Sequence, residues 1–273
     1  MDTVDGVDAG NGFLRCFGRQ MKLLREAAGL TQAELGAHVG YGEAQVAAVE
    51  QGRRIPKPEM VDAVDRVVGG NGVLTAMKGE VGKARYPGFA RQYVQLEAEA
   101  VELHVYDTHL VNGLLQTEEY ARAVFAMRRP SLDEETVEQR VAARLARQDI
   151  FARKSPPLMS FVIEEVVLDR PVGGSDVLRG QLEHILLIGN KRTVEVQVMP
   201  TCRDDHAGLG GPFTLIETLG QRRIAYAEVA SISGLLTERK AVRELEAQYG
   251  IIRAQALTPR ESLAYIEKLL GEA

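Results

Sequence analysis

From Phe13 onward, apolar residues recur every three or four positions, and turn residues break the runs at short intervals. Phe13, Phe17, Met21 and Leu24 fall on one face of a predicted first helix. Gly29 offers the left-handed conformation that ends it. Thr31-Gln32-Ala33-Glu34 has the spacing of a capping box, so a second helix of about two turns should start there. Leu35 and Val39 would face inward, with Gly36 small where a neighbouring helix passes close. Gly40-Tyr41-Gly42 predicts a sharp turn, and the next helix, 43–51, buries Val46 and Val49 before Gly52 ends it. A fourth helix after Pro58 carries Val61, Val64, Val67 and Val68. Asn71, within the glycine-rich 69–72, can cap a short fifth.

The pattern changes further along. Residues 89–102 read as helical, as do 116–128 with Thr117 as cap. Ser131-Leu132-Asp133-Glu134 is a second capping box, opening a long helix to about 153 with Val137, Val141 and Leu145 on its buried side. Residues 158–168, 194–199, 213–219 and 222–229 read as strands, the last two joined by Gly220-Gln221. Helices are expected at 175–188 and 237–255. Thr258-Pro259-Arg260-Glu261 starts a last one, to about 270. The expected fold is an all-α, five-helix N-terminal domain at 13–80 and a larger α+β domain at 89–273. An acidic tail would occupy 1–12 and a linker 81–88.

Length and composition fit two domains: 273 residues, 45% apolar and 26% charged. No apolar run approaches the ~18 residues a membrane span needs. The first residues, MDTVDGVDAGNG, lack the basic and apolar regions of a secretory leader, and two distant cysteines suggest no disulfide framework. A cytoplasmic protein is expected. The net charge of −5 hides a gradient: residues 11–80 carry nine Lys or Arg against eight Asp or Glu. Any affinity for nucleic acid must then come from a local basic patch.

Two short helices joined by a tight turn are what a DNA major groove accepts, one bracing the backbone and the second entering by its leading end. The string LREAAGLTQAELGAHVGYGEAQVAAVEQGRRIPKP resembles the Cro/CI (XRE) family of DNA-binding regulators. Leu30-Thr31-Gln32, Glu34-Leu35, Val46, Val49-Glu50, Gly52-Arg53-Arg54 and Pro56 carry the likeness. It implies that Gln32 touches phosphate. Gly42, Glu43 and Ala44, with Ala48 one turn on and Gln45 nearby, would face base edges. Arg53, Arg54 and Lys57 would grip the backbone. Ala47 and Ala48 stand where related proteins carry Ser and Arg. Base-edge chemistry is then thin: Glu43 can accept from cytosine and Ala44 can pack a thymine methyl. A homodimer reading two half-sites in double-stranded DNA would restore specificity.

Residues 89–125, with Leu96-Glu97-Ala98-Glu99-Ala100 and Val111-Asn112-Gly113-Leu114-Leu115-Gln116-Thr117-Glu118-Glu119-Tyr120-Ala121, resemble the opening of a domain that follows such modules in actinomycete regulators. That family, antitoxin-like regulators of streptomycete development, implies a small protein partner encoded nearby. An antitoxin-like interaction protein that autoregulates its operon is thus the alternative to a regulator whose second domain dimerises and senses a ligand.

Catalytic signals are weak. His104, Asp107 and His109 could gather, but on an extended stretch 104 and 109 face apart. Cys202-Arg203-Asp204-Asp205-His206 lacks paired metal-ligand spacing and reads as a polar loop. Arg140, Arg144 and Arg147 form a basic stripe, read as a solvated face or a site for an acidic partner. Glu97, Glu99 and Glu102 read as solvent-facing. No enzyme, metal or cofactor is expected.

Overall fold

A computed structural model of the chain describes residues 8–83, 88–229 and 232–272. The chain divides into two compact units, 1–91 and 92–273.

The first unit holds α1 (Asp8–Ala27), α2 (Gln32–Val39), α3 (Glu43–Glu50), α4 (Pro58–Val67), α5 (Val73–Ala76) and α6 (Lys78–Lys83). Of the acidic tail expected at 1–12, residues 1–7 lie outside the described residues and 8–12 already belong to α1. The linker expected at 81–88 is partly helical: α6 takes 81–83, residues 84–87 lie outside the described residues, and α7 (Gly88–Ala98) begins at 88. Phe17, Met21, Leu35, Val46, Val49, Met60, Val61, Val64 and Leu74 form the core, each at most 2% exposed. The 3.6-residue spacing of these positions is what brings α1 to α4 onto one centre, which Leu74 of α5 completes.

The second unit is α+β. Continuing the chain order, it contains β1 (Ala100–Asp107), α8 (Glu118–Ala126), α9 (Glu134–Arg147), a 3-10 turn (Gln148–Ala152) and β2 (Leu158–Glu164). Then come α10 (Glu165–Asp169), α11 (Ser175–Gly189), β3 (Val194–Met199), β4 (Phe213–Thr218), β5 (Arg223–Val229), β6 (Ile232–Leu236), α12 (Arg239–Gln255) and α13 (Pro259–Glu272). The six strands form one mixed sheet in the order β3-β2-β1-β4-β5-β6, with β1, β2 and β3 parallel and the other pairs antiparallel. One face packs Leu103, Val105, Phe161, Ile163, Val196 and Ile216 with residues of α11 and α13. The other packs Tyr106, Val162, Phe213 and Leu215 against Val242, Tyr249 and Ile252 of α12.

The structure departs from the sequence reading at four places. The helix expected to 102 stops at Ala98, and β1 takes over at Ala100. β1 is a central strand covered on both faces, so its apolar residues do not alternate cleanly with polar ones. β2 ends at Glu164, and residues 165–168 turn into α10. α9 is capped by Asp133, whose Oδ1 accepts from Thr136 N at 2.8 Å, not by Ser131. That helix ends at Arg147 and tightens into the 3-10 turn. Finally, β6 has no counterpart among the expected strands.

Candidate nucleic-acid interface

α2 starts on the capping box expected from its sequence. Thr31 Oγ1 accepts from Glu34 N at 3.2 Å, and Glu34 Oε2 accepts from Thr31 N at 2.8 Å. These bonds favour the ionised carboxylate and hold Glu34 below the usual carboxylate range. Gly40 ends α2 in the left-handed conformation, φ 77°. The crowding that requires a glycine at position 36 comes from the turn itself: a Cβ there would lie 2.4 Å from the Tyr41 carbonyl oxygen. Gly18 on α1 is the site of close helix approach, since its Cβ would meet the Val49 and Glu50 carbonyls at 2.4 Å. α1 therefore lies directly against the trailing end of α3.

A buried charge network fixes α3. Glu50 takes Arg25 Nε at 2.6 Å and Nη2 at 3.1 Å, and Gln32 Nε2 donates to it at 2.6 Å. The Arg25 and Glu50 side chains are 8% and 2% exposed. The hydrogen bond to Glu50 raises the Arg25 pKa. Three helices thus converge on a single carboxylate, and a guanidinium fork this well matched resists rotation of α3 about its axis. Glu50 was visible in the sequence as one residue of a family string, not as a structural anchor. Its place four residues after Val46, on the buried stripe, is the signal that marks it.

The sequence-predicted contact residues divide into two sets. Gly42, Glu43 and Ala44 are exposed at the leading end of α3, and Ala47 and Ala48 are half-buried one turn on. Gln45 is partly engaged: its Oε1 accepts from Gly42 N at 3.2 Å, steadying the first turn. Gln32 donates its side-chain amide to Glu50, and its backbone N–H is one of the first-turn donors of α2 that no intrahelical carbonyl can accept. At the other end of α3, the backbone N–H groups of Arg53 and Arg54 both donate to Ala48 O, at 2.9 and 3.1 Å. They lash the basic turn to the helix. Arg53 is exposed, with Nε donating to Gln51 Oε1 at 2.7 Å, Arg54 is half-buried, and Lys57 is exposed where α4 starts. The exposed positions are thus polar at the leading end of α3 and basic after its trailing end.

In the second unit, the basic stripe on α9 is not a solvated face. Arg147 forms a two-pronged pair with Glu97, both bonds 2.7 Å, and the Glu97 side chain is 3% exposed. Arg144 donates to Gln116 Oε1 at 2.7 Å and stacks over Phe125, 4.4 Å from the ring centre. Burial, helped by the charge of Arg147, pushes the Arg144 pKa down to about 10. Arg140 has a buried Nη1 without a hydrogen-bond partner. The stripe faces inward because α9 packs over the loop at Gly113, where a Cβ would lie 3.4 Å from Arg144 Nε and from Arg147 Nη1. Glu97 is likewise buried, whereas Glu99 is exposed and Glu102 half-buried.

His104, Asp107 and His109 do not converge. His104 Nδ1 meets Ser160 Oγ at 2.7 Å, Asp107 lies on the opposite face of β1, and His109 lies past the end of the strand beside Thr108. His206 departs from the polar-loop reading: its Nε2 donates to Glu164 at 2.9 Å, and its side chain is 10% exposed. Tyr106 donates to the same carboxylate oxygen at 2.5 Å.

Comparison with known families agrees with the two-unit organisation. Residues 17–76 match the helix-turn-helix domain, and residues 90–268 match the domain of unknown function DUF5753. The chain belongs to the DUF5753 family. No curated protein and no solved structure matches it. In this DUF5753 protein, the helix-turn-helix match spans α2, the turn and α3 together with the core residues that brace them, and points to a DNA-binding regulator. Among the described residues, no helix is long and apolar enough to cross a membrane.

Proposed function

We propose that this DUF5753 protein is a sequence-specific transcriptional regulator of the Cro/CI (XRE) type. It binds double-stranded DNA by inserting the leading end of α3 into the major groove. The observation that carries the reading is the contrast along α3: its trailing end is locked by Arg25, Gln32 and Gly18, while Gly42, Glu43 and Ala44 stand exposed. A rigid helix presented by its tip is the geometry of groove insertion. Gln32 N–H, at the positive end of α2, meets a phosphate on one side, and Arg53, Arg54 and Lys57 hold phosphates on the other.

With Ala47 and Ala48 on the groove side, one subunit reads few bases, so the protein acts as a homodimer on half-sites about 34 Å apart. The second unit carries dimerisation and the binding of a ligand or small protein partner, which shifts the spacing of the two recognition helices. Mobility-shift titration of duplex DNA against salt tests the DNA reading. Arg53→Ala with Arg54→Ala should weaken binding to all sequences and flatten the salt slope by about one to two units. Unchanged binding would remove both residues from the interface.

A further inference from the structure

We propose that one ridge of α1 is a second phosphate-binding surface for duplex DNA, carried by Arg15 and Lys22. The proposal rests on the DNA reading above and widens the footprint of that same interface along the DNA backbone.

α1 starts at Asp8, whereas the helix-turn-helix match starts at residue 17, so Arg15 belongs to a stretch of helix that the match leaves unassigned. Backbone packing fixes its place. A Cβ at Gly52 would lie 2.7 Å from Arg15 N and 2.9 Å from its Cγ. The Arg15 side chain therefore leaves α1 alongside the glycine that precedes Arg53 and Arg54. Gly52 is left-handed, φ 69°, and its missing side chain is what admits α1 this closely.

Helix spacing carries the surface along α1. Arg15, Gly18, Lys22 and Arg25 recur at steps of three, four and three, which places them on one ridge. Two of them are pinned to α3: Gly18 lies under the Val49 and Glu50 carbonyls, and Arg25 reaches the Glu50 carboxylate. Arg15 and Lys22 are exposed on either side of the Gly18 contact. Lys22 meets Glu26 at 3.8 Å, with the two side chains 52% and 50% exposed, a pair too solvated to hold the ammonium against a phosphate. Arg19 is also exposed, but it stands one residue past Gly18 and points about 100° further round the helix, away from α3.

The ridge continues the basic turn. Arg53, Arg54 and Lys57 follow α3, and Arg15 and Lys22 lie on the helix packed against its trailing end. The first unit is nearly neutral, so its affinity depends on gathering cations in this way. Phosphates succeed one another about every 3.4 Å along each strand, so a backbone gripped by Arg53 and Arg54 presents further charges to Arg15. The competing role for Arg15 is structural, to neutralise the carbonyls at the trailing end of α3. That role predicts lost stability with an unchanged salt dependence.

Anisotropy titration of the full chain against a labelled random-sequence duplex, repeated at several salt concentrations, tests the proposal. Arg15→Gln and Lys22→Gln should each flatten the salt slope by about 0.9 and weaken binding about threefold to tenfold in dilute salt. Arg15→Lys keeps the charge and should keep the slope. Arg66→Gln removes an exposed cation at the opposite end of α4 from Lys57 and should change neither quantity. An unchanged slope in Arg15→Gln or in Lys22→Gln would overturn the proposal. So would an equal fall in Arg66→Gln, since net charge alone would then be the cause. Urea midpoints of the same variants expose the competing role: Arg15→Gln that loses stability but keeps the slope assigns Arg15 to α3 and overturns the proposal. If Arg53→Ala with Arg54→Ala flattens the slope and the ridge variants do not, the ridge is removed and the DNA reading stands. If the wild type retains no duplex, both fall.

Discussion

Each unit of this DUF5753 protein buries an Arg–Glu pair with two guanidinium nitrogens on the carboxylate: Arg25 with Glu50 in the first, Arg147 with Glu97 in the second. The side chains are similarly enclosed, 8% and 2% exposed against 14% and 3%. Their surroundings differ. Glu50 also accepts from Gln32, so one anion meets one cation and a neutral amide, and the network ties α1, α2 and α3 together. Arg147 stacks over Tyr93 and has a second buried cation, Arg144, beside it. The first pair positions an exposed helix. The second fastens α9 to α7, while its neighbours Arg144 and Gln148 reach Gln116 in the loop before α8. Removing one partner of a buried pair leaves an uncompensated charge, whereas replacing both with apolar residues is often tolerated. The two pairs therefore differ less in strength than in what each holds in place.

The largest expected effect comes from breaking each pair. Glu50→Ala and Glu97→Ala should each cost roughly 3 to 5 kcal/mol in urea denaturation. Glu97→Ala should be the worse, because it removes the carboxylate paired with Arg147 while Arg144 stays buried beside it. Arg25→Met with Glu50→Leu should recover most of the first loss while leaving α3 free to rotate, so stability returns and DNA binding does not. Equal recovery of both would show that the network has no positioning role.

Gly18→Ala comes next. Its methyl group would enter the space of two α3 carbonyls, so α1 must back away, at about 2 kcal/mol. Hydrogen exchange should show the loss in α1 and α3 and leave the second unit unchanged.

The smallest effect is set by pH. Burial pushes the Asp107 carboxyl up to about 7, and its Oδ2 is buried without a hydrogen-bond partner. The folded protein keeps this proton while the unfolded chain loses it near pH 4, so stability falls as pH rises from about 4 to about 7. Asp107→Asn should therefore stabilise the second unit by about 1 to 2 kcal/mol above pH 7 and give no advantage near pH 4. A benefit that is constant with pH would place the cause elsewhere.

The units also differ in how far their sequences reveal them. Helix spacing, the Thr31 box and the two turn glycines made α2 and α3 legible, because each signal is local and falls within one or two turns. Arg25 and Glu50 lie 25 residues apart, and no local pattern shows that they meet. In the second unit, the Gly220-Gln221 hairpin and the Thr258 box were readable for the same local reason. β1 was not. A central strand of a mixed sheet takes its identity from β2 and β4, whose residues stand far along the chain. The stripe Arg140, Arg144, Arg147 was visible as a pattern, but its direction was not, since a helix turns inward whichever face its neighbours can neutralise.

Selection of random-sequence duplexes by the purified protein and by its Glu43→Gln variant tests the central claim most directly. If the tip of α3 enters the groove, the wild type should enrich paired half-sites about one helical turn apart, and the variant should change the preferred base pair at one position in each. No retained duplex even in dilute salt, or identical enriched sequences from both proteins, would contradict it.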